Sequence, residues 1–181
     1  IPRVQLEGIN PHAFLFNDYL RLDNCKNANC CSITFPNYKM FYSLRTSNPT
    51  TEWCIIGIKK DILWDKDCAF CIENAASNSV TAIPINQRKG LPAFMKLFDQ
   101  IENRPTRDIL DIPDYCPTNP QAEVLVFDRI NLNDIIGVVF QIFKNNLSPK
   151  EKVLTLLLVL ALPIFLNSII FTINDTKLQL L

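Results

Sequence analysis

Residues 103–120, "NRPTRDILDIPDYCPTNP", contain four prolines (Pro105, Pro113, Pro117 and Pro120). Each proline fixes φ and removes a backbone donor, so neither a continuous helix nor a central strand can run through this stretch. The chain is left with a long loop, and loops of this length inside compact domains tend to carry function. The loop leads into "EVLVF", residues 123–127. Val124, Leu125, Val126 and Phe127 form strands readily, and the prolines upstream disfavour a helix entering the run. Side chains alternate along a strand, which puts Glu123 on one face with Leu125 and Phe127 and puts Ala122, Val124 and Val126 on the other. An ionised carboxylate is costly to bury without partners. Glu123 is therefore either a solvated or salt-bridged strand end or an acid placed to work at the edge of a cleft.

Around this loop the pattern is mixed. "CCSITF" (30–35) and "EWCIIGI" (52–58) predict two further short strands. In "GLPAFMKLFDQI" (90–101), Leu91, Phe94, Met95, Leu97, Phe98 and Ile101 recur at spacings of three and four, which predicts an amphipathic helix with its stripe in the core. With 181 residues and 48% hydrophobic content, one domain with a real core is expected, of the α+β class. There is no internal repeat, GxGxxG or P-loop, and four glycines in the whole chain argue against a glycine-rich phosphate cradle. The 18 basic and 18 acidic side chains balance, so any nucleic-acid binding must come from a local patch.

The seven cysteines are odd in number, and no cleavable signal peptide opens the chain, which together suggest free thiols in a reducing, cytoplasmic setting. Cys68 and Cys71 form a C-x-x-C, but a zinc site needs a second pair or nearby histidines. The single histidine is His12, so no metal is expected. Residues 153–173, "VLTLLLVLALPIFLNSIIFTI", contain no charge and follow Lys144, Lys150 and Lys152. "SPKEK" offers Ser148 as a cap, Pro149 at the first position and Glu151 to close a capping box, so a C-terminal hydrophobic helix is expected. Its length suits a membrane crossing, while Pro163, Asn167 and Ser168 argue against one; spanning, surface-lying and docking all remain open. The chain thus divides into residues 1–141, a mixed domain, and 142–181, an apolar tail.

Four segments taken together, "FNDYLRLD" (16–23), "SITFPNYKMFYSLR" (32–45), "ILWDKDCAFCIENAAS" (62–77) and "YCPTNPQAEVLVF" (115–127), resemble the DarT family of bacterial toxins. These are ADP-ribosyltransferases that take NAD and modify bases of single-stranded DNA. The resemblance implies an ADP-ribosyltransferase-like fold, NAD as substrate, single-stranded DNA as acceptor and a macrodomain antitoxin of the DarG type as partner. It makes Glu123 the catalytic glutamate. In one branch an arginine stands near "PNYKMFY", where this chain offers Lys39 and Asn37; Lys39 then assists catalysis or is simply a solvated lysine. Tyr42 is a candidate wall of the NAD pocket, and Arg21 either reaches NAD phosphate or pairs with Asp23. The segment before the glutamate recognises substrate in the family, which points to Arg104, Arg107 and Tyr115 as DNA contacts; phosphates favour arginine and an unstacked base favours an aromatic face.

Family members open on a strand with a histidine and a hydroxyl residue that hold NAD. "IPRVQLEGINPHAF" resembles the region after the helix that follows that strand, and His12 does not inherit the role. The resemblance therefore implies an N-terminally truncated domain. Two classes follow: a DNA-directed ADP-ribosyltransferase, or a catalytically inactive, truncated or membrane-tethered relic of the same fold.

Overall fold

The computed structural model describes residues 2–9, 20–49, 51, 53–127, 129–140 and 168–174. Helix α1 (Arg3–Ile9) is followed by strand β1 (Asn29–Ile33), helix α2 (Tyr38–Ser47) and strand β2 (Trp53–Lys59). A short α3 (Ile62–Asp65), strand β3 (Cys68–Cys71), α4 (Asn78–Thr81) and α5 (Gly90–Met95) come next. The proline-rich loop then leads to β4 (Glu123–Val126), β5 (Ile135–Phe140) and β6 (Ser168–Asn174). The strands form one sheet in the order β3-β4-β1-β6-β2-β5, and every pairing is antiparallel. The α+β expectation holds.

The expected alternation in β4 is realised. Ala122, Val124 and Val126 enter one apolar cluster with Ile58, Ile62, Phe70, Ala93 and Leu97. Leu125 enters a second cluster with Ala69, Cys71, Ala75 and Val80, and Phe127 packs against it. Val124, Leu125 and Val126 have no solvent exposure at all, so each face of β4 is covered by a different set of side chains. Layers on both sides of a strand make it read as an unbroken apolar run, which "VLV" does.

Two expected helices come out differently. The helical pattern over 90–101 yields α5 only to Met95, and Lys96–Phe98 tightens into a 3-10 turn. That change of pitch breaks the stripe: Ala93 and Leu97 are buried and Phe94 and Phe98 pack beside them, whereas Leu91 and Met95 lie exposed. Much of the C-terminal apolar run, 153–167, lies outside the described residues, as does His12. Its end, however, is strand and not helix. Ser168–Asn174 pairs along its length with β2 and through Ile169 and Ile170 with β1. The physical reason is in the residues: Ile169, Ile170, Phe171, Thr172 and Ile173 are β-branched or aromatic, and a continuously apolar segment suits an interior strand as well as a lipid-facing helix. Among the described residues no helix is long and apolar enough to cross a membrane.

All seven cysteines are thiols. Cys68 and Cys71 are three apart on a strand, so their side chains leave opposite faces, and each enters a different apolar cluster. That geometry prevents the pair from sharing an ion. Among the described residues no group of three or more His, Cys, Asp or Glu side chains is arranged for a metal. Burial pushes the thiols of both Cys68 and Cys71 up to about 11, so they remain protonated at neutral pH.

Candidate active site and nucleic-acid surface

Antiparallel pairing brings three chain segments to the same end of the sheet. β4 begins there at Glu123, opposite Cys71, the last residue of β3. β1 ends there as well, because Cys31 pairs with Val124. The loop after β3, the turn after β1 and the proline-rich loop before β4 therefore converge around Glu123.

Glu123 is 9% exposed. Its carboxylate accepts the backbone N–H of Ala75 on Oε2 at 2.8 Å and the side-chain amide of Asn74 on Oε1 at 3.3 Å. Both donors belong to the turn that leaves β3. The same turn holds a second acid: Glu73 accepts from the Ser77 hydroxyl at 2.7 Å and from Ser79. Those hydroxyls, Ser79 first, hold the Glu73 carboxyl below its ordinary value, and the Arg104 charge adds to the effect. Arg104, on the proline-rich loop, is thus within electrostatic reach of the turn that anchors Glu123.

On the other face of β4 lies a cavity of about 490 Å³. One wall is the end of β1 and the start of α2, with Ile33, Phe35, Tyr38 and Lys39. The facing wall is the proline-rich loop, with Arg104, Leu110, Cys116 and Pro120, closing on Ala122. Ala122 and Glu123 are neighbours in the chain, but alternation sends their side chains to opposite faces. The cavity and the carboxylate are therefore adjacent around the start of β4 and do not share one chamber.

The sequence-derived candidates separate accordingly. Lys39 and Arg104 both line the cavity, and both are exposed. Asn37 is 3% exposed and caps α2, its Oδ1 accepting the Met40 N–H at 3.2 Å. Tyr42 is 67% exposed and does not line the cavity; Tyr38, one turn earlier on α2, does. Arg21 forms the two-pronged pair with Asp23, Nε to Oδ1 at 3.0 Å and Nη2 to Oδ2 at 2.8 Å, and also donates to the Cys25 carbonyl. Tyr115 is exposed beside the cavity-lining Cys116.

Arg107 is used within its own loop. Nη1 donates to Thr118 Oγ1 at 2.6 Å, and Nη2 donates to the carbonyls of Pro113 and Cys116 at 2.9 and 3.0 Å. The guanidinium carbon lies 5.9 Å from the centre of the Phe98 ring. Gln100 complements it, accepting the Arg107 backbone N–H and donating toward the carbonyls of Ile101, Arg104 and Pro105. A planar fork is suited to gathering several carbonyls at once, which an ammonium does less well.

Thr34 escaped sequence reasoning. It has φ +65, rare for a β-branched residue, and sits at the centre of a γ-turn closed by Phe35 N–H to Ile33 O at 2.6 Å. Its hydroxyl donates to the Tyr115 carbonyl at 2.8 Å, tying the end of β1 to the proline-rich loop across the cavity. Strained backbone of this kind concentrates at functional sites. Nothing in "SITFP" announces a left-handed threonine, because the conformation is imposed by the loop it meets.

An antiparallel sheet thus carries an anchored carboxylate at the head of one strand, with a cavity lined by basic and aromatic side chains beside it. Residues 30–155 match the DarT family, described as ssDNA thymidine ADP-ribosyltransferase. The match covers more than half of the chain, and the protein belongs to this family. Its class of function is accordingly ADP-ribosyl transfer to single-stranded DNA, with NAD the substrate that such transferases use. No match is found among curated proteins.

Proposed function

We propose that this protein transfers ADP-ribose from NAD to thymidine in single-stranded DNA, with Glu123 as the catalytic glutamate. The observation that carries the reading is the position of Glu123: a carboxylate 9% exposed, at the start of a fully buried strand, fixed by two hydrogen-bond donors. In the reaction the C–N bond between ribose C1′ and nicotinamide breaks, and its electron pair leaves with nicotinamide. The ribose passes through an oxocarbenium-like state, which a fixed carboxylate stabilises, the more so out of bulk water. In thymidine, whose N1 carries the deoxyribose, the base keeps one ring N–H, at N3. That nitrogen forms the new bond to C1′, and its proton passes to the Glu123 carboxylate, which acts as general base.

In this reading NAD and the target thymine meet at Glu123, around the start of β4, and the adjacent cavity receives the flanking DNA strand. Lys39 and Arg104 meet backbone phosphates, Phe35 and Tyr38 offer ring faces to unstacked bases, and Tyr115 extends that surface. Arg107 contributes by holding the loop in shape. Asn37, Arg21 and Tyr42 remain secondary candidates for NAD, with Asn37 and Arg21 already engaged as a helix cap and an ion pair. Because such a transfer damages DNA, a macrodomain antitoxin of the DarG type is the partner that this function calls for.

A direct assay incubates the purified chain with labelled NAD and single-stranded oligonucleotides that contain or lack thymidine. Label transfer confined to thymidine-containing strands, falling by about 10²–10³-fold in Glu123→Gln, is the expected result. Transfer that survives the substitution removes Glu123 from the mechanism. A second reading draws on the separation of carboxylate and cavity onto opposite faces of β4: a fold that binds single-stranded DNA without turnover. Oligonucleotide binding with no label transfer at all would favour it.

A further inference from the structure

A carboxylate that orients a ribose must itself be held in one orientation and kept ionised. In this protein the turn after β3 contributes to the first of these, and within it Asn74. The Ala75 N–H that binds Oε2 is backbone and nearly independent of sequence. The Asn74 side chain, which binds Oε1, is chosen by sequence.

An amide can point either way round, and hydrogen bonding decides which. Asn74 Oδ1 accepts the backbone N–H of Ala76 at 2.9 Å. A flipped amide would set an NH₂ against that N–H and an oxygen against the glutamate, losing both bonds. The Ala76 N–H thus fixes the amide, and the amide NH₂ is left facing Glu123. The residue works at both ends, closing the local turn through its oxygen and holding the acid through its nitrogen.

We infer that Asn74 is the positioning residue of the transfer reaction, holding the Glu123 carboxylate oriented toward the ribose. The inference rests on Glu123 being the reacting acid. Asn74 touches neither DNA nor NAD in this account; it acts through the glutamate alone.

Asn74→Asp is the informative variant. It preserves shape and keeps an oxygen for the Ala76 N–H, so the turn survives, but it replaces the donor beside Glu123 with a second carboxylate. Like charges in contact resist joint ionisation, and the pair then titrates as a unit with one proton retained to higher pH. Asn74→Ala removes the donor without adding charge.

Two measurements are made on the full chain. In the transfer assay, kcat for Asn74→Asp is expected to fall about tenfold at neutral pH, with the acid limb of the pH profile displaced upward by about one pH unit and KM for NAD changed by less than about twofold. Asn74→Ala should lose less and shift less. Independently of turnover, carbon NMR of side-chain carboxyls in glutamate-labelled protein follows Glu123, assigned by the signal missing from Glu123→Gln; its titration should move upward in Asn74→Asp. A purely structural role would lower the melting temperature of both variants and leave the acid limb and the NMR titration in place, and that result overturns the inference. If Glu123→Gln retains transfer, the parent reading fails while the NMR titration still decides whether Asn74 holds the carboxylate. If Glu123→Gln is inactive and neither Asn74 variant moves the titration, the inference alone fails.

Discussion

Two loops meet at the same end of the sheet and are built in opposite ways. The turn after β3, residues 72–77, is short; it spends its polar groups on carboxylates, with Asn74 and Ala75 on Glu123 and Ser77 on Glu73. The loop before β4 is long; it spends its polar groups on itself, through Arg107 and Gln100, and turns apolar side chains outward, with Ile109 74% and Tyr115 44% exposed. The compact turn suits holding a reacting group still. The self-supported loop suits presenting a surface to something large. A site that must position chemistry within a fraction of an ångström and still grip a flexible polymer benefits from separating the two tasks.

The sharpest challenge to this contrast is Arg107→Ala. Removing the fork leaves Thr118 Oγ1 and two carbonyls without their donor, so label transfer to oligonucleotide should drop about tenfold or more, with lysine restoring little because it lacks the planar geometry. NAD hydrolysis in the absence of DNA should change far less. Equal loss of both activities would mean that the loop supports the carboxylate too, and the division of labour would dissolve.

A smaller effect is expected on the cavity rim. Lys39→Ala and Arg104→Ala should each weaken oligonucleotide binding several-fold and reduce the salt dependence of log K by about one, while leaving NAD hydrolysis in place. A salt slope unchanged in both variants would take the strand off this face.

The smallest belongs to the compact turn. The Glu73 carboxyl is held below its ordinary value of 4.5 by Ser79 and Ser77. A depressed value means that the folded state binds fewer protons, so the contribution is present above the unfolded value and is lost as pH falls through the folded one. Acid titration of thermal stability should therefore show a decline below about pH 4.5 that is shallower in Glu73→Gln. Because Glu73 is only part-buried, a shift of a degree or so in melting temperature is the expected scale. Identical acid profiles in the two proteins would show that the serines contribute nothing to holding the turn.

Much of this arrangement was legible in the residues. Four prolines before "EVLVF" required a loop followed by a strand, and the two-residue period of a strand was enough to put Glu123 with Leu125 and against Val124. Arg21 offered two partners in sequence, phosphate or Asp23, and the ion pair is the one present. Tyr38 and Tyr42 were indistinguishable in "YKMFY", since they lie one turn apart on the same side of α2 and how far along the helix the cavity reaches depends on what packs beside it. Arg107 looked like any exposed-loop arginine, because the carbonyls it gathers lie six and nine residues away, brought within reach only when the loop folds back on itself.

The sequence alone determined the class of fold, the strand that carries the acid and the loop that precedes it, because proline stereochemistry and side-chain alternation act between near neighbours. Tertiary structure decided the rest. It turned residues 168–174 into a strand between β1 and β2, brought Asn74 to Glu123 across 49 positions of chain, and bent Thr34 into a left-handed turn to meet Tyr115. Each of these depends on which distant groups are available as hydrogen-bond partners, and that availability is settled only once the sheet has formed.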